Sequence, residues 1–214
     1  MRHIDLETWP RRDHFQHFSD FDYPHFSLCA NVDLTTFHAA VKQRDLSFTV
    51  ALVYVLARVA NAVPEFRQRI RAGGVVEHEV VHPSVTILTE GDLFSFCQID
   101  YVADFPAFAA GAAGRIARVK TNATLKDPPG RDDLLFMTAI PWVSFTSLMH
   151  PLRLHPADSI PRFAWGKFFR DGEIVKMPLS VQGHHALMDG IHAGRFYAEV
   201  QNALHQPGLF LGEA

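Results

Sequence analysis

The amino-acid sequence predicts an α+β fold, because the predicted strands and helices are intermixed without the strict alternation of a doubly wound sheet. Of the 214 residues, 48% are hydrophobic and 20% are charged, which is an ordinary composition for a chain that buries a sizeable core. No internal repeat, low-complexity tract or interdomain linker divides the sequence. We therefore expect a single domain over residues 1–214.

The first predicted elements are a helix and a strand. Thr8 precedes Trp9-Pro10, which favours a helix start, since threonine caps the backbone and proline suits the first turn. This helix should run to about Phe18. Apolar and polar residues then alternate from Phe26 to Val32, which is typical of a strand.

Two further helices are predicted next. Asp33 is a suitable capping residue for a short helix over Thr35–Lys42. The segment from Ser47 to Ala62 is apolar on almost all sides, so this second helix should be central and buried. Pro64 should end it.

The middle of the chain favours strands followed by one long helix. Strand-like patterns occur at Val75–Val81, Ser84–Thr89 and Phe94–Tyr101. The segment Phe105–Thr121 is rich in alanine and carries its cations late, where they face the negative end of a helix. Lys126–Gly130 contains two prolines and is expected to be a loop.

The C-terminal part predicts a hairpin and a final helix. Further strands are expected at Leu134–Ile140, Arg162–Phe169 and Glu173–Gln182. Arg170-Asp171-Gly172 lies between the last two strands and indicates a hairpin turn. The final helix should extend from Asp189 to His205.

The charge and the hydropathy pattern argue against two classes of partner. The net charge is −3 and the lysines and arginines do not cluster, which argues against nucleic acid and against an anionic membrane. The most apolar stretch, Phe48 to Val63, is too short to span a bilayer and is interrupted by Arg58 and Asn61.

The cysteines and the N-terminus favour a cytoplasmic protein. Cys29 and Cys97 have no metal-binding spacing, and two free thiols fit a reducing compartment better than a disulfide framework. The sequence begins Met1-Arg2-His3, without the apolar segment of a secretory signal.

A run of residues with catalytic potential follows the last predicted strand. This run is His184-His185-Ala186-Leu187-Met188-Asp189-Gly190. A loop that leaves a strand presents side chains in a fixed geometry, and a neutral imidazole there can remove a proton from a hydroxyl or a thiol. Asp189 is placed to orient the loop or the imidazole, and Gly190 should permit a close approach to the following helix.

Two other interpretations of this run remain open. A histidine in a buried turn is more often a hydrogen-bonded core residue than a catalyst. A metal site is the second alternative, because His185, Asp189 and His192 would share one face if the whole segment were helical. Gly190 within that span disfavours the metal site, and no fourth ligand is evident, so we expect no bound metal.

Several blocks of the sequence resemble one known family, the trimeric chloramphenicol acetyltransferases. The segment from Pro178 to His192 resembles the active-site signature of that family. Similar blocks, in the same order and spacing, occur at Trp9–Phe15, Asn61–Arg67, His82–Thr86 and Ala139–Phe145. The resemblance extends from residue 9 to about residue 205.

The resemblance implies a fold, an assembly and a mechanism. The fold would be a two-layer sandwich of a mixed β-sheet with helices on one face, assembled as a homotrimer with active sites at the subunit interfaces. His185 would be the general base on an acceptor hydroxyl that attacks acetyl-CoA, which is a co-substrate; no bound cofactor is implied. Asp189 would be structural and paired with Arg11, while His184 and His192 would serve packing or loop hydrogen bonds. Thr138 would stabilise the oxyanion.

The same resemblance assigns the walls of the site. The acceptor-binding residues would be Phe18, Phe26, Phe94, Leu148 and His150, and the residues along the coenzyme A tunnel would be Trp142, Lys167 and Phe168. The chain departs from the family at several positions in and around the site, among them Phe18, where the family has a tyrosine. Thr138 replaces a serine, Ala164 replaces a threonine near the intermediate, and His150 stands where an apolar residue is usual.

These departures keep more than one function open. The leading hypothesis is a chloramphenicol O-acetyltransferase that confers antibiotic resistance. His150 is compatible with an acetyltransferase that acts on a different, more polar acceptor. Thr138 and Ala164 are compatible with a catalytically weakened trimeric binding protein. A catalytic domain like that of dihydrolipoyl acyltransferases shares the motif, but the sequence lacks a lipoyl domain and its linker.

Overall fold

A mixed β-sheet is the largest element of the fold in the computed structural model, which describes residues 1–125 and 130–212. The strands are β1 (Arg2–Ile4), β2 (His25–Asp33), β3 (Gln68–Arg71), β4 (Gly74–Glu77), β5 (His82–Leu88), β6 (Phe94–Gln98), β7 (Leu134–Ile140), β8 (Arg162–Gly166), β9 (Phe169–Asp171) and β10 (Ile174–His184). Seven of them form the main sheet in the order β2-β10-β8-β7-β5-β6, with β9 paired to the start of β10. The pairs β5–β7 and β7–β8 are parallel and the others are antiparallel. A second, antiparallel sheet has the order β1-β4-β3.

Six α-helices accompany the sheets within the described residues. They are α1 (Arg12–Ser19), α2 (Thr35–Gln43), α3 (Phe48–Ala62), α4 (Phe105–Thr121), α5 (Gly190–His205) and α6 (Pro207–Leu211), and short 3-10 turns occupy Pro64–Arg67 and Glu90–Asp92. As the sequence predicts, α3 is central: ten of its fifteen residues are buried, and the Ser47 hydroxyl accepts a hydrogen bond from the Val50 amide at its start. Within the described part of the chain, no helix combines the length and the apolar character that crossing a bilayer requires.

The long helices cover one face of the main sheet. Met137, Phe163 and Val181 lie side by side on β7, β8 and β10, and all three belong to one buried core with side chains of α2, α3, α4 and α5. Since side chains alternate along a strand, the next row must point to the opposite face. This arrangement confirms the α+β fold with a mixed sheet and helices on one side.

The opposite face of the sheet carries mostly polar and small side chains. Its central row is Thr138, Ala164 and Ser180, which are neighbours in register across β7, β8 and β10. The row beside it contains Arg162 and Gln182. This face therefore holds hydrogen-bonding groups that a closed hydrophobic core would exclude.

Several element boundaries differ from the sequence prediction. The helix α1 begins at Arg12 rather than near Pro10, because the Thr8 hydroxyl lies 3.2 Å from an Asp5 carboxylate oxygen and does not cap α1. The predicted strand Val75–Val81 ends at Glu77. The predicted loop at Lys126–Gly130 lies, apart from Gly130, outside the described residues.

The predicted strand Arg162–Phe169 is interrupted after Gly166. The Lys167 amide donates to the Val143 carbonyl at 2.9 Å, so the backbone leaves the sheet there. A side chain at Gly166 would place its Cβ 2.7 Å from the same carbonyl oxygen, so this close approach requires glycine. The predicted hairpin is present between β9 and β10, with Gly172 at a φ of 60° in the turn.

Candidate active site

The motif after β10 forms a tight turn between a strand and a helix. The strand β10 ends at His184, and the amides of Leu187 and Met188 both donate to the His184 carbonyl. The His185 amide donates to the Pro24 carbonyl at 2.7 Å, which ties the turn to the segment before β2. Asp189 is the N-cap of α5, so each side chain of the turn has a defined position.

Aromatic side chains surround the His185 imidazole. The Phe18 ring stacks on it with the centroids 4.0 Å apart, and the Phe26 ring lies 5.3 Å away. His185 is only partly buried. Its Nδ1 atom is buried without a hydrogen-bond partner among the described residues, so Nε2 is the ring nitrogen available to a ligand.

Arg11 donates hydrogen bonds to three acceptors in the turn, which are two backbone carbonyls and the Asp189 carboxylate. It donates from Nη2 to the His185 carbonyl at 2.9 Å, from Nε to the Ala186 carbonyl at 3.4 Å, and from Nη1 to Asp189 Oδ2 at 2.7 Å. Burial raises the pKa of the Asp189 carboxyl, but the hydrogen bond and charge of Arg11 outweigh burial and bring that pKa below its ordinary value. The ion pair between Arg11 and Asp189 that the resemblance implies is therefore present as a contact.

The imidazoles of His184 and His192 both accept hydrogen bonds from backbone amides. His184 Nδ1 accepts a hydrogen bond from the Ala186 amide at 3.2 Å, and burial lowers the pKa of His184 to about 4, so this imidazole is neutral at pH 7. His192 Nδ1 accepts from the Asp189 amide at 3.1 Å and completes a capping box with Asp189. Among residues 1–125 and 130–212, no group of three or more His, Cys, Asp or Glu side chains is arranged to hold a metal ion.

The close approach expected at Gly190 occurs at Gly183 instead. No described atom lies within 4 Å of a Cβ built on Gly190, which is simply the first residue of α5. A Cβ on Gly183 would lie 2.4 Å from the Met188 sulfur. The expectation for Gly190 is therefore wrong, and Gly183 provides the space in which the turn folds back on β10.

Thr138 lies on the polar face of the sheet, in an open cleft of about 1310 Å³. This volume exceeds that of a typical drug-sized pocket, so the cleft has room for more than one small molecule. Of the predicted site residues, Phe94, Trp142 and His150 share the cleft with Thr138. Trp142 is 67% exposed, which leaves a large aromatic surface free at the rim.

The segment that follows Trp142 crosses the polar face and is anchored to it. The Leu148 carbonyl accepts a hydrogen bond from the Ser27 hydroxyl at 2.7 Å. The His150 amide donates to Gln182 Oε1 at 3.0 Å. Burial is the main cause that lowers the pKa of His150, so its imidazole is also neutral at pH 7. Leu148 and His150 therefore lie over β2 and β10, between the His185 turn and the Thr138 cleft.

Of the three predicted coenzyme A residues, Trp142 lines the cleft, whereas Lys167 and Phe168 are exposed and do not line it. The hydrogen bond from the Lys167 amide to the Val143 carbonyl brings Lys167 next to Trp142 in space. The Phe168 ring is 44% exposed and lies 5.1 Å from the His38 ring and 6.1 Å from the Phe48 ring. A cation beside exposed rings suits a ligand with phosphates and an aromatic base.

His185 and Thr138 of the same chain do not meet. His185 does not line the Thr138 cleft. Thr138 is in register with Ser180 two strands away, and His185 lies five residues beyond Ser180 along β10 and the turn. At the usual strand spacing and rise, their Cα atoms are roughly 19 Å apart, which is beyond hydrogen-bond reach of a common atom.

Sequence reasoning missed several polar residues near these side chains. Gln182 Nε2 donates to the Tyr23 hydroxyl at 3.3 Å, and His25 Nε2 lies 2.6 Å from the Asp158 carbonyl oxygen. The His25 and His184 rings are 4.9 Å apart. Arg162 is almost fully buried, and it lines the Thr138 cleft. The available signal was a glutamine and an arginine within otherwise apolar strands, but their common face depends on a register that one sequence does not display.

Comparison with known proteins identifies relatives over nearly the whole chain. The family model of chloramphenicol acetyltransferase matches residues 1–201. A chloramphenicol acetyltransferase from Klebsiella sp is 34% identical over 201 residues, which cover 92% of this chain and 91% of that relative.

Solved structures agree with this comparison. The structure of a chloramphenicol acetyltransferase superposes with a TM-score of 0.84 at 26% identity and covers 95% of this chain and 99% of that chain. A dihydrolipoamide acetyltransferase from Azotobacter vinelandii superposes with a TM-score of 0.69 at 17% identity, over 93% of this chain and 88% of that chain. The second likeness concerns the fold alone.

Proposed function

Since the chain belongs to the chloramphenicol acetyltransferase family, we propose that it transfers an acetyl group from acetyl-CoA to a hydroxyl of chloramphenicol or of a related small acceptor. Membership of the family makes the protein an acyltransferase. The observation that supports the proposal most directly is the turn in which Arg11, paired with Asp189, holds His185 by its backbone carbonyl.

In the proposed reaction, His185 acts as the general base. Its Nε2 takes the proton of the acceptor hydroxyl while the oxygen attacks the carbonyl carbon of the thioester, and the carbonyl oxygen becomes an oxyanion. The Thr138 hydroxyl donates a hydrogen bond to that oxyanion. When the intermediate collapses, the C–S bond breaks and the coenzyme A sulfur takes the proton from His185. No covalent acyl-enzyme is needed.

The proposed site needs two copies of the chain. In one chain, His185 and Thr138 are roughly 19 Å apart, by the usual strand spacing and rise, and no single reacting atom lies within reach of both. A second copy that presents its Thr138 cleft to the His185 turn would bring the two groups together. We propose a homotrimer with the active sites at the subunit interfaces, as the family resemblance implies, because a closed ring of identical contacts provides this arrangement at every interface.

The remaining predicted residues receive roles in this scheme. Arg11 and Asp189 position His185 and do not contact the substrates. The proposed acceptor wall consists of Phe18, Phe26, Phe94, Leu148 and His150, and the proposed coenzyme A surface consists of Trp142, Lys167 and Phe168. The free thiols of Cys29 and Cys97 fit a reducing compartment, so we place the reaction in the cytoplasm, where it would confer antibiotic resistance.

A coenzyme A release assay tests the proposal. With acetyl-CoA and chloramphenicol, wild type should release thiol, and His185→Ala should lower kcat by a factor on the order of 10²–10⁴ because the general base is lost. His3→Ala, which removes an exposed histidine of β1, is the matched control and should retain the wild-type rate. Undiminished turnover in His185→Ala would contradict the assignment of the base.

A weakened binding protein is the second candidate, and two positions favour it. Thr138 has a bulkier side chain than the serine it replaces, and Ala164, beside it on β8, offers no hydroxyl at all. Binding of chloramphenicol and acetyl-CoA without thiol release by wild type would support this candidate over catalysis. Turnover by wild type would exclude it.

A further inference from the structure

We propose that the acceptor of this site is a polyhydroxylated molecule, and that His150 together with Arg162 selects it through a hydroxyl other than the one that is acetylated. This inference rests on the proposed acetyl transfer, which it deepens by naming the substrate class. It depends on the bonds of two side chains in the wall of the Thr138 cleft.

The hydrogen bonds of Gln182 define the chemical state of His150. Gln182 Oε1 accepts from the His150 amide at 3.0 Å and lies 3.3 Å from His150 Nδ1. A backbone amide is always a donor, so the amide oxygen of Gln182 is correctly placed, and its Nε2 in turn donates to Tyr23. Nδ1 must therefore carry the proton, and Nε2 of the neutral ring is a hydrogen-bond acceptor.

That acceptor atom has no donor within the described structure. His150 Nε2 is buried, and no described group donates to it, although His150 lines the cleft. A buried hydrogen-bond acceptor without a donor is unfavourable. An apolar substrate bound against His150 Nε2 would leave that nitrogen without a donor. A ligand that supplies an O–H or N–H group removes this penalty.

Arg162 favours a hydroxyl over an ammonium group as the donor to His150 Nε2. Its guanidinium is almost fully buried, lies 5.1 Å from the Phe136 ring centroid, donates to the Ile160 carbonyl at 2.8 Å, and pairs with Asp158. These bonds fix the cation in the same cleft wall as His150. A hydroxyl donates to His150 Nε2 and accepts from an arginine N–H with the same oxygen, whereas an ammonium group has no acceptor atom to offer the guanidinium.

Steady-state rates with matched acceptors test the proposal. The probes are chloramphenicol, a methyl glycoside, and deoxy versions of that glycoside that each lack one hydroxyl, all with acetyl-CoA. For wild type we expect the kcat/KM for the glycoside to fall by about tenfold or more when the recognised hydroxyl is removed.

His150→Leu provides the decisive comparison. It should abolish the difference in kcat/KM between the glycoside and the critical deoxy analogue. His150→Gln keeps an acceptor oxygen and should retain part of the discrimination. Thermal unfolding of both variants shows whether they fold.

The outcomes separate this inference from the proposed function. Equal kcat/KM values of wild type for the glycoside and every deoxy analogue, or an undiminished difference in His150→Leu, would overturn the role of His150 and Arg162 and leave acetyl transfer intact. Absence of thiol release with every acceptor would instead contradict the proposed function itself.

Discussion

One carboxylate oxygen of Asp189 caps helix α5, and the other binds Arg11 in the candidate site. Its Oδ2 accepts from Arg11, while its Oδ1 accepts from the Ile191 amide at the start of α5. The helix N-terminus and the guanidinium both favour the charged carboxylate. Any change at Asp189 therefore disturbs the helix start and the position of His185 together.

The short sequence blocks allowed some residues of the candidate site to be predicted. The others lie there because of the strand register. His185, Asp189 and Arg11 are recognisable because they occur in conspicuous short blocks of sequence. Gln182 and Arg162 join the site only because β10 and β8 pair so that both side chains face the same way. Such a relation between distant segments is not visible in one sequence.

Burial of His184 predicts an acid-sensitive fold. Its pKa is about 4 in the folded chain and about 6.5 when unfolded, so below pH 6.5 the unfolded state binds a proton that the folded state excludes. This contribution to stability is present above pH 6.5 and is lost as the pH falls toward 4. Between pH 7 and pH 5 it should lower the free energy of unfolding by about 2 kcal/mol.

His184→Asn provides the measurement. The asparagine oxygen can accept the Ala186 amide in place of Nδ1, but it does not titrate. Urea denaturation should show a pH dependence between pH 7 and 5 that is smaller in the variant by that amount. Burial also lowers the pKa of His25 and His150, so the variant should retain some dependence. Identical profiles for wild type and variant would show that His184 is not the titrating group.

At the scale of elements, the predictable segments are those with strong local signals. The bounds of α4 and β7 match the prediction, and Asp104 caps α4 by accepting from the Ala107 amide. The short strands β1 and β3 were not predicted, because three or four residues carry little periodic pattern. They are held by distant partners, for example through the ion pair of Arg2 with Glu77.

The contact between Gly166 and the Val143 carbonyl predicts a costly substitution. Gly166→Ala should lower the free energy of unfolding by about 1–3 kcal/mol, because a backbone carbonyl and the Pro178 ring both lie 2.7 Å from the new Cβ. Displacement of Val143 should also raise the KM for acetyl-CoA, since Trp142 precedes it. Chemical denaturation and steady-state kinetics measure the two effects.

Gly194→Ala is the matched control for that substitution. Gly194 is an exposed residue within α5, and no described atom lies within 4 Å of the position that the new methyl group would take. Alanine there should stabilise the protein by about 0.5–1 kcal/mol. Equal effects of the two substitutions would mean that the approach at Gly166 is not tight.

At the scale of the whole molecule, the sheet separates two kinds of environment. One face supplies the hydrophobic core with the helices, and the other carries Thr138 and its cleft. The His185 turn lies beyond the end of β10. A single chain therefore has both halves of the proposed chemistry but does not bring them together.

Complementation between two inactive variants tests the two-chain site. His185→Ala and Thr138→Ala should each be impaired alone, the latter by about 10²–10³ in kcat. When they are co-expressed and assemble at random, about one quarter of the interfaces combine an intact His185 with an intact Thr138, so activity should recover to about that share. Activity no higher than the mean of the two separate variants would place both groups within one chain.

The contact between Arg11 and Asp189 also has a consequence for the timing of synthesis. The two residues are 178 positions apart in the sequence. At the usual speed of translation, Arg11 is made roughly 10–35 s before its carboxylate partner. The turn that holds His185 is consequently among the last parts of the molecule to form, and the proposed general base has no fixed position until the chain is almost complete.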